Sequence, residues 1–465
     1  MNVIKPANNI IINKWNLQYY NRDRAYNMIK YRKHISIPED DVVVMENMIT
    51  REIICLSSKE FEVINSPDFN KKHPILHQYL VSRWWMIPFS MNEYSMVYTF
   101  KNSMKPSKLI SDYFDSYVIL PTTNCNANCS YCYEAGLEAK DMSEKTAKDV
   151  VEFMYKRHKR NTSIHIHWFG GEPTCNMDAI NTICLGLDEK NIKFTSSMIS
   201  NGYLFTEEYA SIARRIWNLE TIQITLDGTA EVYNRIKRFR IPDDNNPFDR
   251  VISNIKYLLD AEVRVVIRLN MSNDNIQSLY DVVDFIDDTF SDIPDRENKL
   301  SMFAIPLFEG TSIGYVSRTS EERKAIYEES FKLEKYIEAN NLLTDQLRYF
   351  DRYPYTMQCI ADNPNGVLIS PEGKLGKCEH HLNDEDFFSD IYGHKMSNLK
   401  EVDKYRQPID EYLHCEECFY YPVCNKLKLC PNESRCDIWI RKERADMVDR
   451  SLRKIYEEFK KRDSL

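Results

Sequence analysis

The sequence predicts an α/β protein with a repeated strand–helix core over 112–310, a small α+β unit before it at 1–105, and a cysteine-rich unit after it at 346–440. Three observations predict this. Short apolar, β-branched runs alternate with amphipathic stretches of helical period from about 116 to 305, the pattern of repeated βα units on a parallel sheet. The cysteines are clustered: three lie between 125 and 132, and seven between 359 and 436. At 465 residues, with 43% hydrophobic and 28% charged residues, the chain is long and apolar enough for several cores.

The elements follow in chain order. VVVMENMIT and REIICLS, spanning 41–57, read as two short strands whose edge is a candidate docking site, followed by helices at 58–66 and 74–86. Leu76, Leu80 and Trp84 give the second helix an apolar face, and the unit as a whole reads as winged-helix-like. Six parallel strands then read SYVILPT, SIHIHWF, IKFTSSMIS, TIQITLD, VRVVIRLN and LSMFAIP. Between them lie helices near 143–159, 178–189, 206–217, 248–260 and 275–289, the first opened by Ser143 as an N-cap. Such a series closes into an open doubly wound sheet or a barrel, and in both cases ligands gather at the carboxyl ends of the strands.

A linking helix is expected over 311–345. Beyond it periodicity fades and the apolar content is too small for a self-supporting core, so bound metal is the expected replacement. A last helix near 438–461, overlapping the terminal helical segment 441–465, buries Ala445, Val448, Leu452, Ile455 and Phe459 at spacings of three and four.

Composition excludes several classes. The net charge of −9 offers no basic stripe for nucleic acid. No apolar run reaches the roughly 18–20 residues of a membrane span, and the N-terminus lacks a signal-peptide pattern, so a cytoplasmic protein with no membrane partner is expected. In that compartment thiols stay reduced, which makes metal ligation or catalysis the better account of 13 cysteines than a disulfide scaffold. Cys55, Cys175 and Cys184 stand apart and read as small buried residues.

Cys125, Cys129 and Cys132 form CNANCSYC, a C-x3-C-x2-C loop directly after the first core strand. Three thiolates on one loop can hold three irons of a [4Fe–4S] cluster and leave the fourth iron open to a ligand. Structural zinc is the alternative, but zinc takes four ligands and no nearby fourth is evident. One strand later comes Phe169-Gly170-Gly171-Glu172-Pro173, whose glycines suit close backbone approach to a ligand.

On these motifs the chain resembles the radical S-adenosylmethionine (SAM) superfamily, with Tyr131 as the aromatic residue before the last loop cysteine. The resemblance implies a partial (β/α)6 TIM-like barrel in which the Gly170–Pro173 turn receives the SAM amino group. It also implies that Ser200, Asn201, Asp227, Arg268 and Asn270, at later strand ends, contribute to holding SAM. The electron donor would be a flavodoxin or ferredoxin.

Cys359 and Cys378, then Cys415, Cys418, Cys424, Cys430 and Cys436, resemble the SPASM extension, which implies two auxiliary [4Fe–4S] clusters. Cys415, Cys418, Cys424 and Cys436 would hold the outer cluster; Cys359, Cys378 and Cys430 would hold the inner one. The five-residue gap between Cys424 and Cys430 departs from the usual three and leaves the roles of Cys430 and Cys436 open. A zinc ribbon is the competing reading of these thiolates.

The resemblance implies a maturase of a ribosomally made precursor peptide with a leader. Reductive SAM cleavage would give a 5′-deoxyadenosyl radical, and the product would be a cysteine thioether of the sactipeptide or ranthipeptide type. The rivals are a carbon–carbon crosslinking maturase, an anaerobic sulfatase-maturing enzyme that makes formylglycine, and a non-enzymatic multi-cluster electron-transfer scaffold.

Overall fold

The computed structural model describes residues 1–7, 24–66, 68–104, 110–240, 246–307, 318–343, 359–393, 399–405, 415–424 and 438–463. Six short strands come first: β1 (Asn2–Lys5), β2 (Tyr26–Met28), β3 (Arg32–Ile37), β4 (Val42–Asn47), β5 (Ile53–Ser57) and β6 (Met86–Pro88). Four of them make an antiparallel sheet in the order β1-β5-β4-β3.

Successive side chains of a strand point to opposite faces, and here both faces are covered. Val43, Met45, Ile54 and Leu56 pack with Ile64 and Leu80, from helices Ser58–Ile64 and Pro74–Ser82. Val44 and Ile53 pack with Phe100, of helix Glu93–Met104, and with Val448 and Leu452, of the final helix Ile438–Asp463. The 41–57 strands therefore do not present an edge. β4 pairs with β3 and β5, and β5 pairs with β1 and β4, which among the described residues leaves the outer sides of β1 and β3 as the edges of this sheet. The helix expected to 86 stops at Ser82, because Trp84 turns the chain with φ 61° into β6, which pairs with β2.

The core sheet runs β7 (Ser116–Ile119), β8 (Ile164–Trp168), β9 (Phe194–Ser200), β10 (Leu219–Leu226), β11 (Arg264–Met271) and β12 (Leu300–Pro306), each parallel to and beside the next. Across these six strands the order never reverses, so this part of the chain winds one way, as in a barrel. Ile166, Met198, Ile224 and Ile267 face the helices and form the main core. The alternate positions, among them His167, Ser197, Gln223 and Thr225, project to the other side, where His167 Nδ1 lies 2.8 Å from Ser197 Oγ.

Two features were not legible beforehand, a helix after β10 and an extension of the sheet, whereas the linking helix expected over 311–345 is Ser320–Ala339. A two-turn helix, Ala230–Lys237, follows β10; at eight residues, with Tyr233 and Lys237 its buried positions, it is too short for its period to stand out in the sequence. Helix Ser320–Ala339, opened by a capping box between Thr319 and Glu322, sends Ile326, Leu333 and Ile337 into the main core. Residues 366–390 extend the core sheet: β13 (Gly366–Ile369) lies parallel to β7, and β14 (Lys374–Gly376) and β15 (Ser389–Asp390) follow antiparallel. Val367, Ile369, Leu375 and Phe388 thereby enter the same core, so this stretch is held by the barrel sheet rather than by metal alone. Among the described residues no helix is long and apolar enough to cross a membrane.

Candidate active site

A cavity of about 270 Å³ opens at the carboxyl ends of the core strands. Cys125, Cys129, Cys132 and Tyr131 line it together with Gly170, Gly171, Glu172, Ser200, Asn201, Arg268 and Asn270. Strand ends far apart in sequence thus meet as a parallel sheet requires. Asp227 and Pro173 are buried behind the cavity wall rather than lining it.

The cysteine loop is fixed by its neighbours. Thr122 Oγ1 accepts from the Asn124 amide at 2.8 Å, and Asn201 Nδ2 donates to Asn126 Oδ1 at 2.7 Å. The last carbonyls of helix Ala230–Lys237 accept from the loop as well: Ser130 N–H to Ile236 at 3.2 Å and Asn128 N–H to Lys237 at 3.0 Å. Gly170, at φ 120°, and Gly171 bring the next strand end against this loop; a Cβ on Gly171 would lie 2.5 Å from the Asn124 carbonyl oxygen.

Glu172 ties β8 to β9. Its Oε1 accepts from Thr174 N–H at 3.1 Å, Thr174 Oγ1 at 2.5 Å and Ser200 Oγ at 2.8 Å, while Oε2 accepts from Asn201 N–H at 2.7 Å. Oε2, with a single such donor, retains acceptor capacity for an amine in the cavity. Burial holds this carboxyl above its ordinary range despite those bonds. Arg268 is the opposite case: burial lowers its pKa, while Tyr131 and Asp227 act to raise it, and its Nε donates to Asn270 Oδ1 at 2.9 Å.

Burial pushes the Cys125 thiol up to about 12 and Cys132 to about 11, and raises Cys129 against the pull of Lys237. Such thiols ligate only when a metal displaces their protons. Among the described residues no three His, Cys, Asp or Glu side chains are drawn together tightly enough for a single ion. Three thiols spread around a glycine-walled cavity fit a cluster with an open corner better than a closed zinc site.

Sequence reading missed several lining residues. Gln223 and Thr225 were readable as the polar alternates of TIQITLD; Lys237, Glu379 and His380 carried no local signal. Glu379 and His380 directly follow Cys378, and the His380 ring rests against Tyr133, with centroids 4.5 Å apart. Cys359 and Cys378 pack together with Ala361 and Tyr405. Cys415, Cys418 and Cys424 pack against the N-terminal core beside Tyr421, where Lys101 Nζ donates to the carbonyls of Tyr421 at 3.1 Å and Cys424 at 2.9 Å. Cys430 and Cys436 lie outside the described residues.

The fold and this loop define a radical SAM domain: residues 119–286 match the family model of the Radical SAM superfamily. An uncharacterised protein of Methanocaldococcus jannaschii is 33% identical over 116 residues, 24% of this chain and 38% of its own length. The radical SAM cyclopropyl synthase TigE of Paramaledivibacter caminithermalis is 24% identical over 159 residues, 28% of this chain and 33% of its own. The chain thus spans 38% of the first of these curated relatives and 33% of the second. Among solved structures, anSMEcpe with bound AdoMet and Cp18Cys peptide superposes with a TM-score of 0.51 at 16% identity, covering 74% of this chain and 98% of that one, a likeness of fold.

Proposed function

We propose that this protein is a radical SAM peptide maturase that forms a thioether between a cysteine and another residue of a ribosomally made precursor. One observation carries the reading: Glu379 and His380, next to Cys378, line the cavity that holds Cys125, Cys129 and Cys132. An auxiliary cluster on Cys359 and Cys378 would stand at the wall of the chamber where the peptide reacts. The peptide bound to anSMEcpe supports a peptide substrate here as well.

Cys125, Cys129 and Cys132 would hold the [4Fe–4S] cluster, which with SAM supplies a hydrogen-abstracting 5′-deoxyadenosyl radical. The chain's own part is placement. Gly170 and Gly171 keep side chains out of the SAM site, Glu172 presents a carboxylate to the amino group, and Arg268 offers a cation for the SAM carboxylate. Tyr133 and His380 narrow the mouth and exclude water from the reacting atoms. Cys415, Cys418, Cys424, Cys430 and Cys436 are the remaining auxiliary ligand candidates, and a flavodoxin or ferredoxin the electron donor. With the 41–57 strands inside the sheet, β1 or β3 is the edge left for a leader peptide to extend.

A second reading, carbon–carbon bond formation, is favoured by the similarity to a cyclopropyl synthase. The test is anaerobic reconstitution with iron, sulfide, dithionite, SAM and a cysteine-containing precursor peptide. Thioether formation removes two hydrogens and one alkylatable thiol; loss of two hydrogens with every thiol retained selects the carbon–carbon reading. Deoxyadenosine without any change in peptide mass defeats both.

A further inference from the structure

Lys237 is the last residue of a two-turn helix, where a lysine normally reaches into solvent, yet its side chain is only 4% exposed. Its ammonium lies 3.1 Å from Asp227 Oδ2 and 2.9 Å from the Tyr131 hydroxyl, and Tyr131 OH in turn donates to Asp227 Oδ2 at 2.8 Å. Three elements meet in this network: the end of β10, the cysteine loop and the helix end. The backbone repeats the link, since the carbonyls of Ile236 and Lys237 accept from loop amides on either side of Cys129.

A buried ion pair is a poor stabilising device, because desolvating both charges offsets most of their attraction. The pair is also lopsided. Lys237 lines the cavity together with Cys125, Cys129 and Cys132, whereas Asp227 is buried behind its wall, so the ammonium is the member of the pair turned toward the thiols. Asp227 Oδ1 has no hydrogen-bond partner among the described residues and is buried, as expected of a carboxylate kept for its charge rather than for a full set of bonds.

We infer that Lys237 is a positioning and charge-compensating residue of the cluster site: its buried ammonium stabilises the reduced state of an iron–sulfur cluster on Cys125, Cys129 and Cys132. The inference rests on the radical SAM reading of those cysteines. Reduction adds one electron to the cluster and no proton, so in a buried site the new negative charge must be met by a fixed cation. With Arg268 across the cavity assigned to the SAM carboxylate, Lys237 beside the cysteine loop is placed to meet it, and Asp227 limits its effect.

The experiment is an anaerobic dithionite titration of the reconstituted full chain, following by EPR the reduced-cluster signal that changes on adding SAM. That response separates this cluster from any other in the chain. In Lys237→Met the midpoint should move to more negative potential by about 59 mV, an approximately tenfold loss in the reduction equilibrium of a one-electron couple. Lys237→Arg should stay nearer the wild type, and Asp227→Asn, which unmasks the ammonium, should move the opposite way. Loaded Lys237→Met with an unchanged midpoint overturns the inference. Should that variant fail to take up iron, Asp227→Asn decides: an upward shift supports the inference and no shift overturns it. A wild-type chain that loads iron but shows no SAM-responsive signal overturns the radical SAM reading itself, and this inference with it.

Discussion

The His380 ring lies against Tyr133 in a tilted contact, with centroids 4.5 Å apart, joining the residue after the first cysteine loop to the residue two beyond Cys378. Through that contact the cysteine-rich segment lines one side of the cavity that holds Cys125, Cys129 and Cys132. Replacing His380 with alanine should open the mouth without touching the loop cysteines. Deoxyadenosine formation is expected to continue while crosslinked peptide falls by about tenfold, the loss of roughly 1.4 kcal/mol of positioning. Parallel quantification of deoxyadenosine and product checks this, and equal loss of both would place His380 in SAM binding instead.

Glu172 has a different part, since it accepts from Thr174, Ser200 and Asn201 at once. In Glu172→Gln an amide nitrogen takes the place of one carboxylate oxygen, so one of those donors loses its acceptor. Hydrogen bonds to a charged group are worth about 1.5–3 kcal/mol each, so SAM affinity should weaken by about tenfold or more with cluster iron retained. Equilibrium dialysis with SAM on the iron-loaded variant reads it directly.

Gly171→Ala tests the cradle. The added Cβ would meet the backbone oxygens of Asn124 at 2.5 Å and Thr123 at 2.6 Å, and backbone cannot step aside as a side chain tip does. The cysteine loop must shift, at a cost of about 1–3 kcal/mol. Iron uptake at the SAM site should drop while circular dichroism stays that of the wild type.

His167 gives a pH signature on the inner face of the sheet. Burial first, and His165 second, lower its pKa from 6.5 to about 4. The fold therefore resists a proton that the unfolded chain accepts, so the stability held above pH 6.5 is lost as pH falls through that window toward about 4. Urea midpoints measured across this range should fall less steeply in His167→Gln than in the wild type.

The fold was legible where its signal is local. The six core strands, the C-x3-C-x2-C loop and the Gly170–Pro173 turn each announce themselves within a few residues, and the sheet then carries them to one end. What escaped depends on pairing across long stretches of chain. That β4 and β5 sit inside their sheet depends on β1 and β3 flanking them, which no strand's own sequence states. Glu379 and His380 reach the cavity because Gly366 pairs with Ser116, joining the two cysteine-bearing segments in one sheet. Lys237 was invisible because a lysine in a charged helix end reads as solvent-facing; only its Asp227 and Tyr131 partners account for its burial.

Cys129→Ala bears most directly on the radical SAM assignment. Reconstituted beside the wild type and supplied with dithionite and SAM, the variant should keep the iron of its C-terminal cysteines and make no 5′-deoxyadenosine. Deoxyadenosine formed by the variant at the wild-type rate would show that the Cys125–Cys132 loop is not the site of SAM cleavage.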